Sequence, residues 1–214
     1  MRVIAVPIKS LSRAKSRLSP LLAPLERAAL TLAMLEDVLD ATLAMPSWET
    51  WVISPDEAVL EIAARRRAEP ITEEKPTLAS AVRQVEEEAK ERGADSLAVL
   101  LGDTPLVSAD ALQDALRTLG SVVLAGSTHG GGTNLLLRRP PRAIAARFGP
   151  SSFDRHVQGA ESRGIPTAVI ERPELAFDLD VPEDVATVLE IGRGTRTRSS
   201  CLDMDLGARL RILA

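Results

Sequence analysis

Asp103 is the first residue whose type and position suggest chemistry. It follows Gly102 directly after residues 97–101, an unbroken apolar stretch of the kind found in buried strands. A carboxylate at a strand tip, beside a glycine that allows a ligand to approach closely, is a suitable ligand for Mg²⁺, because hard divalent cations prefer oxygen donors. Aspartate is also common in turns, where it bonds to nearby backbone groups, so a purely structural role stays open.

A pair of aspartates lies further along the chain. Asp178 and Asp180 flank Leu179, and in an extended chain alternate residues face the same side, so the two carboxylates project together. Neighbouring carboxylates repel each other unless a cation separates them. The pair therefore predicts a divalent metal site that Asp103 completes from a neighbouring strand tip. Asp180 also lies near the start of a helix predicted from Pro182, where negative charge is favourable.

Four cations follow the first apolar stretch of the chain, at Lys9, Arg13, Lys15 and Arg17. In a chain with a net charge of -4, this local excess of positive charge suits a polyphosphate. A solvated basic loop is the alternative interpretation. The sequence contains neither G-x-x-x-x-G-K-[ST] nor G-x-G-x-x-G, so it predicts neither a P-loop nor a standard dinucleotide site.

A glycine-rich segment and a later helix start could bind an anion. Residues 130–132 are three glycines followed by Thr133, and Gly149 precedes Ser152, which opens a predicted helix. Glycine runs expose backbone N–H groups, and a helix N-terminus attracts negative charge, so a small acidic molecule would fit here. A flexible hairpin and an ordinary helix cap are the alternative. The two histidines, His129 and His156, are interpreted as incidental.

These residues require a scaffold that brings distant segments together. Helices and strands alternate along the chain, which predicts an α/β fold, a three-layer α/β/α sandwich around a mostly parallel sheet. In such a sheet, ligands bind beyond the carboxyl ends of the strands. The predicted strands are residues 1–8, 50–54, 96–101, 121–125, 134–137 and 167–170, and the predicted helices are 24–43, 56–67, 78–92, 108–120, 152–163 and 182–191.

Composition limits the class of protein. The 214 residues are 45% hydrophobic and 26% charged, as in a globular chain, and we predict one domain at residues 1–193 and a tail of unknown role at residues 194–214. Few aromatic residues and the negative net charge argue against nucleic-acid binding. With one cysteine and two histidines, neither an internal disulfide nor a Cys/His zinc site is expected. No signal peptide or membrane span is expected, so we predict a cytoplasmic protein whose oligomeric state the sequence does not indicate.

Seven segments in one order resemble a known family. The chain is similar, over about residues 1–192, to the 2-phospho-L-lactate / phosphoenolpyruvate guanylyltransferases of coenzyme F-420 biosynthesis. The family resembles the nucleotidyltransferases of the GT-A-like, Rossmann-related sandwiches, which agrees with the predicted architecture. The matching segments are Val6-Pro-Ile-Lys9, Ala14-Lys-Ser-Arg-Leu18, Met34-Leu-Glu-Asp-Val38, Leu101-Gly-Asp-Thr-Pro105, Gly131-Gly-Thr-Asn134, Phe148-Gly-Pro-Ser-Ser-Phe153 and Asp178-Leu-Asp-Val-Pro-Glu-Asp184.

The resemblance implies a reaction and a set of roles. The reaction is transfer of GMP from GTP to the phosphate of a three-carbon phosphoacid, with release of pyrophosphate. Lys15 and Asp103 would be catalytic, and Mg²⁺ would be the cofactor. By position in the family's motifs, Asp103, Asp178 and Asp180 would hold the metal, Lys9, Lys15, Arg17, Thr77, Leu78 and Gly102 would contact the nucleotide, and Thr133, Gly149 and Ser152 would bind the acceptor.

Some questions remain open at the level of sequence. The family often has Gly-Leu-Asn where this chain has Thr77-Leu78-Ala79, so an amide near the expected base pocket is missing. Phosphoenolpyruvate, 2-phospho-L-lactate and 3-phosphoglycerate differ by a few atoms, and no residue type selects among them. A nucleotidyltransferase acting on another phosphorylated precursor, a GT-A glycosyltransferase and a non-catalytic nucleotide-binding module are the alternatives.

Overall fold

One mixed sheet forms the centre of the protein. The computed structural model describes residues 1–213, and within this range seven strands belong to that sheet. In chain order they are β1 (Arg2–Pro7), β2 (Glu49–Ser54), β3 (Glu69–Thr72), β4 (Ser96–Leu100), β5 (Val122–Gly126), β6 (Thr133–Arg138) and β7 (Thr167–Val169).

The sheet has the order β3-β2-β1-β4-β6-β5-β7. Strand β1 pairs in parallel with β2 and β4, β2 with β3, and β5 with β7, whereas β6 runs antiparallel to both β4 and β5. The hairpin between β5 and β6 follows from the glycine-rich loop that joins them, because its short connection cannot form a parallel crossover. The predicted mostly parallel α/β sheet is confirmed.

Helices cover both faces of the sheet. They are α1 (Pro24–Leu43), α2 (Glu57–Arg65), α3 (Leu78–Glu91), α4 (Ala109–Arg117), α5 (Ser152–Glu161), α6 (Pro173–Ala176), α7 (Pro182–Ile191), α8 (Arg196–Asp203) and α9 (Leu206–Leu213). Helix α1 has the predicted bounds, with Pro24 in its first turn, where a missing N–H costs nothing, and Glu26 accepting the Ala23 backbone N–H at 2.8 Å.

The alternation of side chains along β1 produces the layers. Ile4 and Val6 enter a core that includes residues of α1, α2 and α4, while Val3 and Ala5 enter a core with residues of α3. Helix α5 packs against strands β5 and β6 through a smaller hydrophobic cluster that includes Leu124. Because successive strand residues point to opposite faces, a strand buried on both sides reads as a continuous apolar run.

Four elements were not expected from the sequence: strand β3, the four-residue helix α6, and helices α8 and α9. Strand β3 contains Pro70 and lies at the edge of the sheet with most of its residues exposed, so it lacks the apolar run of a central strand. Helices α8 and α9 form the segment predicted as a tail. Its many arginines and serines leave few buried positions, too few to show a helical period in the sequence.

The C-terminal helices are joined to α1 by charged contacts. Asp37 accepts the backbone N–H groups of Arg196 and Thr197, both at 2.8 Å, and the Thr197 hydroxyl at 2.6 Å. Arg209 binds both carboxylate oxygens of Glu26 at 2.7 and 2.8 Å. The division of the chain after residue 193 stays a prediction. Among the helices of residues 1–213, none has both the length and the apolar character required to cross a membrane.

Candidate active site

Lys15 lies between two of the predicted site carboxylates. Its Nζ is 3.0 Å from Asp103 Oδ2 and 2.8 Å from Asp180 Oδ1, and its side chain is 8% exposed. The loop reaches this position because Lys15 adopts a left-handed backbone, φ 50° and ψ 42°, between two short 3₁₀ turns, Leu11–Arg13 and Ser16–Leu18. The Leu11 N–H donates to Asp56 Oδ2 at 2.6 Å, which ties the start of the loop to the segment before α2.

The charges of this cluster support one another. Burial of Lys15 disfavours the ammonium, but the carboxylates of Asp103 and Asp180 outweigh that effect and raise the Lys15 pKa. Burial alone would likewise raise the pKa of Asp180, yet Lys15, Arg17 and Lys9 lower it. The cluster therefore holds a charged lysine and a charged Asp180 at neutral pH.

The segment with Asp178 and Asp180 passes directly beside Asp103. The Leu179 N–H donates to the Asp103 carbonyl at 3.0 Å, so the two stretches of chain predicted to meet do meet. Asp178 accepts the Ser127 hydroxyl at 2.5 Å and the Asn134 amide at 3.3 Å. Burial raises the pKa of Asp178, the bond from Ser127 lowers it, and the charges of Asp103 and Asp180 raise it further.

These three carboxylates are the candidate metal ligands, and the structure allows a test of fit. Asp103 Oδ1 is buried without a hydrogen-bond partner, which is an orphaned oxygen suited to a hard cation. Among residues 1–213, however, no three Asp, Glu, His or Cys side chains converge on one point in a metal-holding group. Lys15 Nζ holds the position between Asp103 and Asp180 instead. The donor types fit Mg²⁺, and the assignment of the metal stays a prediction.

A cleft of about 270 Å³ opens over the lysine cluster, beyond the carboxyl ends of β1 and β4. Its wall includes most of the residues predicted to contact the nucleotide or the metal. Arg17 is mostly exposed, and its Nη1 lies 3.8 Å from Asp180 Oδ2, so this side chain is free to reorient toward a ligand. The predicted residues on the wall are Lys9, Lys15, Arg17, Leu78, Gly102, Asp103 and Asp180.

Gly102 allows close packing at the tip of β4. A Cβ atom at this position would lie 2.0 Å from Ile8 Cδ1, so the end of the Ile8 side chain would have to move. The glycine thus lets the tip of β4 lie against the residue that follows β1. The close approach brings Asp103 next to the cationic loop.

A second cavity, of about 410 Å³, adjoins the cleft. Leu78 lines both spaces, and Thr77 lines the second one. Thr77 is the N-cap of α3, where its Oγ1 accepts the Ser80 N–H at 3.1 Å and donates to Ser80 Oγ at 2.8 Å. Thr77 and Leu78, both predicted to contact the nucleotide, therefore lie beside a partly open space of suitable size for part of a ligand.

The predicted acceptor residues lie together on another part of the sheet edge. Ser152 Oγ donates to Thr133 Oγ1 at 3.1 Å, and the Gly149 carbonyl accepts the Ser152 N–H at 3.1 Å. The φ of Gly149, 113°, is one that side-chain-bearing residues rarely adopt. Both hydroxyls are buried, and the N–H groups of Ser152 and Phe153 already bond to glycine carbonyls. The three residues are adjacent, but their contact with an acceptor stays a prediction.

Both histidines take part in these networks, which sequence reasoning missed. His156 Nε2 accepts the Arg147 N–H at 2.8 Å, so its Nδ1 carries the proton that is donated to Thr133 Oγ1 at 3.0 Å. Burial and the nearby arginines lower the pKa of His156 to about 4. His156 follows Ser152 by four residues, one helical turn, and that spacing is a signal in the sequence that the two share a face.

His129 is connected to the Asp178–Asp180 segment through Asp184. Its Nε2 is 2.8 Å from Asp184 Oδ1, and Asp184 Oδ2 accepts the backbone N–H groups of Asp180 and Val181 at 2.7 and 2.8 Å. The bond to Asp184 raises the pKa of His129, although partial burial opposes the shift. Asp184 therefore fixes the turn in which Asp180 lies, and no periodicity in the sequence indicates this contact.

Known structures share the arrangement of strands and helices. A protein from Desulfovibrio desulfuricans assigned as a nucleotide-diphospho-sugar transferase superposes with a TM-score of 0.76 over 99% of this chain and 98% of that chain, at 17% sequence identity. At this identity the similarity establishes the fold alone.

Sequence comparison gives closer relatives. A phosphoenolpyruvate guanylyltransferase from Sphaerobacter thermophilus is 43% identical over 86% of this chain and 90% of its own length. A 3-phospho-D-glycerate guanylyltransferase from Phenylobacterium zucineum is 35% identical over 89% and 91%. A 2-phospho-L-lactate guanylyltransferase from Methanothermobacter thermautotrophicus is 35% identical over 90% and 86%. Residues 1–207 match the family described as guanylyl transferase CofC-like, and with this match and these relatives the chain belongs to that family.

Proposed function

We propose that this protein transfers GMP from GTP to the phosphate of phosphoenolpyruvate, or of the closely similar 2-phospho-L-lactate, and releases pyrophosphate, as a step of coenzyme F-420 biosynthesis. Family membership supports the guanylyl transfer. The phosphoenolpyruvate relative is 43% identical and the relatives named for the other two acids are 35% identical, which favours phosphoenolpyruvate as the acceptor.

The observation that carries the proposal is the position of Lys15. Its ammonium lies between Asp103 and Asp180 on the wall of a cleft at the carboxyl edge of the sheet, where this class of fold binds ligands. A buried cation and carboxylates side by side suit a substrate that contains both phosphates and a metal ion. The exposed Lys9, Arg13 and Arg17 on the same wall add positive charge for a triphosphate.

The two adjoining cavities divide the nucleotide between them. The triphosphate lies in the charged cleft, and the base lies in the second cavity, whose wall is largely apolar. Lys9 and Arg13 line both spaces and therefore contact the nucleotide where base and phosphates meet. Leu78 packs against the sugar or the base from the start of α3.

Mg²⁺ dependence is part of the proposal, with Asp103, Asp178 and Asp180 as the residues that would hold the ion. When bound, Mg²⁺ offsets the negative charge of the phosphates and so lowers the barrier to approach by an anionic nucleophile. The buried, unpartnered Asp103 Oδ1 supports this assignment. So does the crowding of Asp178 by the charges of Asp103 and Asp180.

The chemistry requires alignment and charge compensation rather than a general base. An oxygen of the acceptor phosphate forms a bond to the α-phosphorus of GTP, and the bond from that phosphorus to the oxygen bridging to the β-phosphate breaks. Because the attacking oxygen is already an anion, no proton has to be removed. Lys15 and Arg17 offset charge on the departing pyrophosphate, and Thr133, Gly149 and Ser152 orient the acceptor.

A second acceptor is specifically favoured by one relative. The protein from Phenylobacterium zucineum is named for 3-phospho-D-glycerate and matches this chain over 89% of its residues. That acid also presents a phosphate and a carboxylate on a three-carbon skeleton. It is therefore the alternative substrate against which phosphoenolpyruvate must be compared.

The experiment is a matrix of four nucleoside triphosphates against the three acids, with products identified by mass spectrometry and pyrophosphate release measured separately. We expect GTP with phosphoenolpyruvate and Mg²⁺ to give the fastest turnover. An Asp103→Asn variant provides the negative control, because it removes one carboxylate charge from the cleft without changing side-chain size. Turnover with none of the twelve pairs, or full activity in that variant, would contradict the proposal.

A further inference from the structure

The second cavity is lined by an acidic residue that no step of the proposed transfer uses. Half of the twelve residues that line it are apolar, namely Pro7, Ile8, Pro55, Pro76, Leu78 and Ala81. Lys9 and Arg13 stand where the cavity opens into the charged cleft. Of the residues of the described chain that line this cavity, Glu73 is the one that carries a carboxylate.

The sheet holds Glu73 in place. It directly follows β3, and its backbone N–H donates to the Ser54 carbonyl at 3.0 Å, continuing the pairing of Thr72 with Ser54. The backbone at this position is therefore part of the sheet edge rather than of a free loop. A side chain on such a rigid base can select a ligand by geometry.

The carboxylate of Glu73 is short of partners. It is half-buried, and it forms no salt bridge with any residue in the range 1–213. Burial raises its pKa, an effect that the Thr77 backbone N–H offsets only in part. A partly desolvated carboxylate of this kind gains from a ligand that brings hydrogen-bond donors.

Among the nucleobases, guanine offers the donors that a carboxylate accepts. Its N1–H and its exocyclic amino group lie side by side and match the two oxygens of one carboxylate. Adenine presents a bare N1 acceptor at the corresponding edge, which a carboxylate repels. A site built to accept hydrogen bonds discriminates strongly against a ligand that lacks the donors.

We propose that Glu73 is the residue that selects guanine, with its carboxylate accepting hydrogen bonds from the base N1–H and amino group in the second cavity. The assignment rests on the proposed function in one respect, that the nucleotide enters from the adjoining cleft. It also accounts for guanine selectivity in a chain that has Ala79 where relatives often have an asparagine amide.

The test replaces Glu73 by glutamine in the full-length protein and measures binding of GTP, ATP and XTP by calorimetry without any acid present. Glutamine keeps the size of the side chain but replaces one acceptor oxygen by an amide donor. We expect Glu73→Gln to bind GTP about 10- to 100-fold more weakly than the wild type, the range for loss of a charge-assisted hydrogen bond. XTP binding should improve, because the new amide can donate to the oxygen that replaces the guanine amino group.

A matched control is the neighbouring Glu74, which is exposed and lines a different surface depression. Glu74→Gln should bind the three nucleotides like the wild type. The gain of XTP binding cannot result from partial unfolding, so it separates selection of the base from general damage. Unchanged GTP, ATP and XTP ratios in Glu73→Gln, or a wild type that binds ATP as tightly as GTP, would overturn the inference.

Turnover with GTP and phosphoenolpyruvate, measured on the same variants, distinguishes the two proposals. A Glu73-dependent preference for GTP without transfer of GMP to any acid supports the role of Glu73 and contradicts the proposed function. Transfer of GMP with unaltered selectivity in Glu73→Gln contradicts the role of Glu73 and leaves the proposed function intact.

Discussion

Lys15 illustrates how one residue determines the electrostatics of the cleft. Its ammonium is almost fully buried and has two carboxylate partners, so it neutralises most of the repulsion between Asp103 and Asp180. Its left-handed backbone conformation costs free energy in a residue with a side chain, and the two ion pairs compensate for that cost. If a metal ion binds these carboxylates, it competes with Lys15 for them.

We predict that Lys15→Met destabilises the protein by roughly 3 kcal/mol without Mg²⁺, because it leaves Asp103 without its cation and Asp180 with only the 3.8 Å contact to the exposed Arg17. Mg²⁺ should then raise the melting temperature of the variant by more than that of the wild type, since no internal cation competes. Thermal unfolding with and without Mg²⁺ measures both effects. Lys75→Met, at an exposed lysine, is the control. Equal stabilisation of wild type and Lys15→Met by Mg²⁺ would show that Lys15 and the metal do not share ligands.

Ser152 allows a second test at the level of one side chain. We expect Ser152→Ala to raise the KM for the acid about tenfold, equivalent to about 1.5 kcal/mol for one hydrogen bond to a charged group, and to leave the KM for GTP unchanged. Steady-state kinetics with each substrate varied in turn measures the two constants. Ser162→Ala, at an exposed serine that follows α5, is the matched control. Similar increases in both constants would place the acceptor elsewhere.

Helix α5 shows how an element organises the residues around the predicted acceptor site. Ser152 in its first turn and His156 one turn later both bond to Thr133 at the start of β6. His156 also accepts the Arg147 N–H, so one neutral imidazole joins the helix, the strand and the loop between them. That role requires the unprotonated ring, because Nε2 acts as an acceptor.

The lowered pKa of His156 predicts how stability depends on pH. The unfolded chain has a histidine pKa near 6.5 and the folded protein one of about 4, so the unfolded state binds more protons between these values. Stability should therefore fall as the pH decreases from about 6.5 toward 4, by up to about 3 kcal/mol from this residue. In His156→Gln, which keeps an acceptor for Arg147 but cannot titrate, this component should disappear. Urea unfolding of both proteins at pH 7, 6 and 5 measures the difference, and parallel losses in the two would contradict the assignment.

The elements also show which features a sequence can predict. Asp103, Asp178 and Asp180 were expected to meet because strand tips of a parallel sheet share one edge, and the structure brings Leu179 into hydrogen-bond contact with Asp103. The position of Lys15 could not be predicted, because it depends on a left-handed residue and on partners 88 and 165 positions away. Strand β3 and the C-terminal helices were missed because exposure and polar composition concealed their periodicity. The roles of the site residues stay predictions.

At the scale of the whole molecule, a further hydrophobic cluster connects the C-terminal helices to the cleft. It lies apart from the cores on the two faces of the sheet and joins segments far apart in sequence. Leu18 belongs to the cationic loop, Leu179 separates Asp178 from Asp180, and Cys201 and Leu206 come from α8 and α9. The cluster consists of Leu18, Leu21, Leu22, Leu30, Met34, Phe177, Leu179, Val185, Val188, Cys201 and Leu206.

The segment predicted as a tail therefore packs against both stretches of chain that line the cleft, through Leu18 in the cationic loop and Leu179 beside Asp180. We predict that Leu206→Ala lowers the free energy of unfolding by about 2 to 4 kcal/mol, because the side chain is fully buried and leaves a cavity. It should also raise the KM for GTP, since the loop with Lys15 and the segment with Asp180 both pack on the same cluster. Urea unfolding and steady-state kinetics at a temperature where the variant is folded measure the two effects.

Leu202→Ala in the same pair of helices is the matched control, because Leu202 is 53% exposed and lies outside the cluster. It should change stability by less than about 0.5 kcal/mol and leave both KM values unaltered. If Leu206→Ala is destabilised but binds GTP as the wild type does, the C-terminal helices stabilise the fold without positioning the cleft. A rise in the KM for GTP in Leu206→Ala alone would instead establish that this cluster transmits packing at α9 to the residues predicted to contact the phosphates.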